Sequence, residues 1–114
     1  LRGLNILVAE DNPISQKFVE VALKKSGHNV TCVTNGKQAV EMAADHPFDL
    51  ILMDVQMPEM DGFEATSLIR KHQRESGTFT PIVAMTANAM KGDREKCIEA
   101  GMDDYLSKPV KVKE

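Results

Sequence analysis

The chain has 114 residues, 42% of them hydrophobic and 4% aromatic, and a formal net charge of −3. That length suits one compact domain, residues 1–114, with an aliphatic and methionine core. The mild acidity argues against nucleic-acid binding, and no apolar run nears the roughly 18 residues that cross a bilayer, so neither nucleic acid nor membrane is an expected contact of this domain.

Five apolar runs alternate with helix-length segments. The first, Asn5-Ile6-Leu7-Val8-Ala9, is continuously apolar, as strands buried on both faces of a parallel sheet are. A helix follows, with Pro13 acceptable in its first turn, Ile14, Phe18, Val21, Ala22 and Lys25 at helical spacing, and Gly27 as its stop. The second run, Val30-Thr31-Cys32-Val33-Thr34, alternates like an edge strand. After the Asn35-Gly36 turn, Ala39, Met42 and Ala43 mark a second helix, with Pro47 just beyond it. Leu50-Ile51-Leu52-Met53 is the third run, and Ala65, Leu68, Ile69 and His72 mark the helix after it. The fourth run, Ile82-Val83-Ala84-Met85-Thr86, precedes a helix carrying Met90, Arg94, Cys97 and Ile98 and closed by Gly101. Tyr105-Leu106-Ser107 is the last run, and the fifth helix that should follow it is expected to be largely missing from this chain. Alternation of this kind implies right-handed βαβ units and a three-layer α/β domain. Cys32 and Cys97 fit no metal-ligand spacing and are expected to be buried free thiols. With no signal-peptide pattern at the start, they suggest a cytoplasmic location, either alone or as the cytosolic part of a membrane-bound parent.

Ligands of open parallel α/β sheets bind outside the carboxyl ends of the strands, and this chain places its polar chemistry there. Glu10 and Asp11 end the first run, Asp54 the third, Thr86 the fourth and Lys108 the fifth. Three converging carboxylates repel one another unless a cation neutralises them. All-oxygen ligation suits Mg²⁺, which completes its octahedron with water and phosphate oxygens. Lys108 adds a mobile positive charge for phosphoryl oxygens. Phosphoryl transfer needs chiefly positioning and charge neutralisation, and a carboxylate can be its nucleophile. Asp54, alone at the end of the central run, suits that role. The Glu10-Asp11 pair suits metal, and the Thr86 hydroxyl suits a phosphoryl oxygen.

Four motifs then stand in order: Val8-Ala9-Glu10-Asp11-Asn12, the stretch Met53-Asp54-Val55-Gln56-Met57-Pro58-Glu59-Met60-Asp61-Gly62, Met85-Thr86-Ala87-Asn88-Ala89, and Tyr105-Leu106-Ser107-Lys108-Pro109. Together they resemble response-regulator receiver domains across essentially the whole chain. The resemblance implies a flavodoxin-like fold with a five-stranded parallel sheet in the order 2-1-3-4-5, an order for which a receiver of this family is a standard example. It implies that Asp11, Asp54 and the Gln56 backbone carbonyl contact Mg²⁺ directly and that Glu10 acts through water. Thr86 and Lys108 would bind the phosphoryl group, with Lys108-Pro109 a cis peptide, and Thr86 and Tyr105 would form the switch pair. The wording of the motifs is most similar to receivers of hybrid histidine kinases and phosphorelays. There the phosphodonor is a histidine phosphotransfer protein or the kinase's own dimerisation helices, docking on the first helix from Pro13 to Phe18.

On this reading the domain catalyses its own phosphorylation and dephosphorylation without a separate substrate, while its parent chain is a histidine kinase. A monomer is expected in isolation. The alternatives are a stand-alone response regulator, or a metal-dependent aspartyl phosphatase of the haloacid-dehalogenase type. The latter places a second Asp two residues after its nucleophile, where this chain has Gln56. Other polar residues have plainer readings. Asp61-Gly62 suits a turn and helix start, Asp103 and Asp104 a solvated turn, and Lys91, Arg94 and Lys96 a solvated helix face. His28, His46 and His72 lie away from the strand-end rim. Gln56 and Asn88 flank the site, where they would position or exclude the hydrolytic water.

Overall fold

The computed structural model describes residues 3–57, 59–86 and 94–107. Five strands, β1 (Asn5–Ala9), β2 (Asn29–Val33), β3 (Leu50–Asp54), β4 (Ile82–Thr86) and β5 (Asp104–Ser107), alternate with four helices, α1 (Pro13–Lys25), α2 (Gly36–Asp45), α3 (Gly62–Ser76) and α4 (Arg94–Ala100). All strand pairs are parallel, in the order β2-β1-β3-β4-β5. This is the flavodoxin-like arrangement expected from the motifs. The expectations for Lys108, Pro109 and the fifth helix fall outside the described residues.

The continuous apolar runs are explained by burial on both sides. Side chains alternate across a strand, so Leu7, Ala9, Ile51, Met53, Ile82 and Ala84 point to a core closed by Ala39, Ala65, Ile69 and Cys97. Ile6, Val8, Leu52 and Met85 point the other way, against Val19 and Leu23 of α1. The first three helices start at a polar cap whose side chain accepts backbone N–H groups: Asn12 for α1, Asn35 for α2 and Asp61 for α3.

Two core expectations are corrected. The buried stripe of α1 is Val19 and Leu23, whereas Ile14 is 81% exposed, Phe18 54% and Val21 42%. Apolar residues stand on two faces of this helix, so helical spacing alone admits either stripe; the sheet selects the one that covers Ile6, Val8 and Leu52. Cys97 is buried as expected, but Cys32 is only half-buried because its strand forms the sheet edge. Asp103 is also not simply solvated. Its carboxylate pairs with Arg70 and accepts the Ile82 N–H.

Candidate functional site

Register sets the site. Ala9 lies opposite Met53, which brings the next residues, Glu10 and Asp54, to one level, while Asp54 lies opposite Met85 and Thr86 opposite Ser107. The strand ends therefore share one rim. Carboxylate oxygens of Glu10, Asp11 and Asp54 lie within 4.8 Å of one another. Glu10 is 1% exposed and Asp54 2%, while Asp11 is open to solvent. At an effective dielectric constant of about 20, two such charges repel by roughly 3 kcal/mol. The donor set fits a hard divalent cation: all oxygen, dense in negative charge, and open on the Asp11 side.

Local hydrogen bonds aim these groups. The Glu10 carboxylate accepts the Asn12 N–H at 3.0 Å, and the Glu10 N–H donates to Val33 O at 3.1 Å. Asn12 in turn caps α1, its Oδ1 accepting from Ile14 and Ser15 at 2.9 and 3.1 Å. One Asp54 oxygen accepts the Gln56 N–H at 3.1 Å, which turns the chain sharply after β3. The Gln56 side chain is exposed, leaving its backbone as the part held near the acids.

Thr86 is 1% exposed, at the end of β4. Tyr105 on β5 is half-buried, pairs with Ala84 and packs against the same core as that residue. Residues 84 and 86 face the same side of the sheet, so Tyr105 and Thr86 share a face. Lys108 lies outside the described residues. Met57 and Met60 are half-buried and pack on the core beside the site.

Two residues support the site in ways not assigned from sequence. Gln16, one turn into α1, donates from Nε2 to both Glu10 O at 3.0 Å and Val33 O at 3.1 Å, tying the acidic strand end to the edge strand. Its position four residues after the Asn12 cap is the only hint that could have found it. Gly62 lies so close to Asp54 that a Cβ there would overlap the Asp54 carbonyl oxygen and come 2.9 Å from Val55 Cα. It is the first residue of α3, as Asp61-Gly62 suggested, and it is also the wall against which the Asp54 backbone rests.

A family model for the response regulator receiver domain matches residues 6–114. The hybrid signal transduction histidine kinase I of Dictyostelium discoideum is 45% identical over 113 residues, covering 95% of this chain but 6% of that protein. This chain thus spans a small fraction of the curated relatives it matches. Among solved structures, the receiver domain of the sensor histidine kinase PA1611 from Pseudomonas aeruginosa PAO1, with a magnesium ion coordinated in the active site cleft, is 50% identical at a TM-score of 0.87. That similarity covers 96% of this chain and 88% of the other. The receiver domain of Saccharomyces cerevisiae Ssk1, crystallised with the histidine phosphotransfer protein Ypd1, is 34% identical at a TM-score of 0.90, covering 96% of this chain and 81% of that one.

Proposed function

The chain belongs to the response regulator receiver family of two-component phosphorelay signalling, and we propose that Asp54 is its phosphoryl acceptor, working with Mg²⁺ held by Glu10, Asp11, Asp54 and the Gln56 carbonyl. The observation that carries this is the meeting of three carboxylates within 4.8 Å at the strand-end rim, two of them almost fully buried. Bound there, Mg²⁺ would neutralise the acids and the oxygens of the incoming phosphoryl group.

The rest is done by the chain. The Gln56 N–H orients the Asp54 carboxylate through one oxygen at 3.1 Å, and the carboxylate attacks phosphorus of a phosphohistidine. An O–P bond forms as the N–P bond breaks, and the electron pair returns to the donor imidazole. The Thr86 hydroxyl donates to a phosphoryl oxygen, and Lys108 supplies the second positive charge. Movement of Thr86 toward the phosphate frees the face it shares with Tyr105, whose ring then turns inward. A local charge change thus biases a two-state surface.

The donor is a histidine phosphotransfer protein or a kinase's dimerisation helices, and the module is part of a hybrid histidine kinase on the cytosolic side. Ile14, Phe18 and Val21 support this. They form an exposed apolar face on α1, beside the site, and such faces mark protein contacts. Among the described residues no helix is long and apolar enough to cross a membrane.

The test is intact-mass measurement after incubation with Mg²⁺ and acetyl phosphate. A hydroxylamine-labile phosphoryl adduct is expected and should disappear in Asp54→Asn. No adduct on the unaltered protein, or one that survives the substitution, would overturn the assignment.

A further inference from the structure

We propose that Gly36, the first residue of α2, is a positioning residue for the metal site. By lacking a side chain it grips the Met60 carbonyl and so holds the β3–α3 connection, which carries the Gln56 carbonyl, against the acidic cluster. The inference rests on the reading of Glu10, Asp11 and Asp54 as a Mg²⁺ site.

Three observations place Gly36 in this role. Its N–H donates to Met60 O at 3.0 Å. It is buried, and a Cβ built on it would overlap that same oxygen, lie 2.9 Å from the Met60 carbonyl carbon and 3.1 Å from Asp61 O. No side chain of any kind fits between α2 and this backbone. The connection is held from outside at its start, where the Val55 N–H donates to Met85 O of β4 at 3.1 Å, and Met57 and Met60 pack on the core. Its other described hydrogen bonds near Gln56, the Gln56 N–H to Asp54 Oδ1 and the Gly62 N–H to Val55 O at 3.1 Å, close within the segment itself. Among the described residues, Gly36 thus gives the backbone hydrogen bond that holds its far half from another element. Glu59, next to Met60, takes a left-handed φ of 67°, a conformation that a non-glycine residue keeps only when its surroundings impose it.

The start of α2 is rigid enough to impose it. Asn35 Oδ1 accepts the Gln38 N–H at 2.8 Å, Gln38 Oε1 accepts the Thr34 N–H at 2.9 Å, and Ala39 is fully buried in the core. Gly36 is thus a fixed point that touches the connection from another element and contributes no atom to the metal's coordination. Residues that orient ligands in this way alter metal affinity without touching metal.

The experiment is Mg²⁺ titration by calorimetry on the unaltered protein, Gly36→Ala and Gly77→Ala. Gly77 has a φ of 79° with nothing near its Cβ position, at the far end of α3, so its substitution strains the backbone away from the site. We expect Gly36→Ala to weaken Mg²⁺ binding by about tenfold or more, with Gly77→Ala unchanged. A folded Gly36→Ala chain that binds Mg²⁺ as the unaltered chain does would overturn the proposal and leave the metal site intact. Failure of the unaltered chain to bind Mg²⁺ would remove the metal site itself.

Should Gly36→Ala not fold, amide hydrogen exchange on the unaltered chain decides. Coupling is reciprocal, so Mg²⁺ must slow exchange at the Gly36 N–H if that hydrogen bond favours the metal-bound loop. Unchanged exchange at Gly36, with Mg²⁺ demonstrably bound, would refute the role.

Discussion

Replacing Gln16 with Ala isolates the tie between the acidic strand end and its neighbour. The substitution removes two hydrogen bonds, to Glu10 O at 3.0 Å and to Val33 O at 3.1 Å, while the Glu10 N–H to Val33 O bond at 3.1 Å remains. Net contributions of such bonds are about 1 kcal/mol each, and Gln16 is only half-buried, so water can reach the carbonyls once the amide is gone. The expected cost is therefore about 1–2 kcal/mol, or a thermal midpoint lowered by roughly 4–8 °C for a domain of this size. The Glu10 carbonyl belongs to the peptide that leads into Asp11, so its release also loosens a carboxylate of the proposed metal site. Thermal unfolding followed by circular dichroism, with EDTA and again with Mg²⁺, measures both effects. The midpoint should fall in EDTA, and Mg²⁺ should raise it by less than it raises the unaltered protein. A ligand at free concentration L that binds the folded state stabilises it by RT ln(1 + L/Kd), which shrinks as Kd rises. An unchanged midpoint together with an unchanged Mg²⁺ increment would refute the reasoning. A lower midpoint with a full Mg²⁺ increment would confine Gln16 to stability.

Three further outcomes are expected. Arg70→Met should destabilise the fold by about 2–4 kcal/mol in urea unfolding, because losing a largely buried guanidinium takes the Arg70 donors from Gly101 O and Thr80 O and leaves the Asp103 carboxylate without its cation, held among the described residues only by the Ile82 N–H. Burial pushes the Cys32 thiol above its ordinary range, so less thiolate is present near neutral pH. Its alkylation should be slower than that of an open thiol and should accelerate at a higher pH, while Cys97, 1% exposed, should react only on unfolding. The double change Ile14→Asp and Phe18→Asp should leave the urea midpoint nearly unchanged, because both residues are exposed. It should abolish pull-down of a phosphotransfer protein that the unaltered chain binds; retained binding would move the docking face elsewhere.

The sequence alone determined the alternation of elements, the parallel sheet and the polar strand ends. Those features follow from local chemistry: apolar runs such as Leu50 to Met53 are legible because both faces of a central strand are buried, and helix starts such as Pro13 and Asp61-Gly62 are legible because a first helical turn has its own residue preferences. Glu10, Asp11 and Asp54 were legible as a group because strand ends of a parallel sheet converge on one rim. Tertiary structure alone decided which stripe of α1 faces the sheet, since Phe18 and Val19 are equally apolar and only the position of Ile6, Val8 and Leu52 separates them. It also decided the roles of Gln16, Gly36 and Gly62. Each acts on backbone atoms of a distant segment, and a contact between a side chain, or its absence, and a remote carbonyl leaves no periodicity or motif behind.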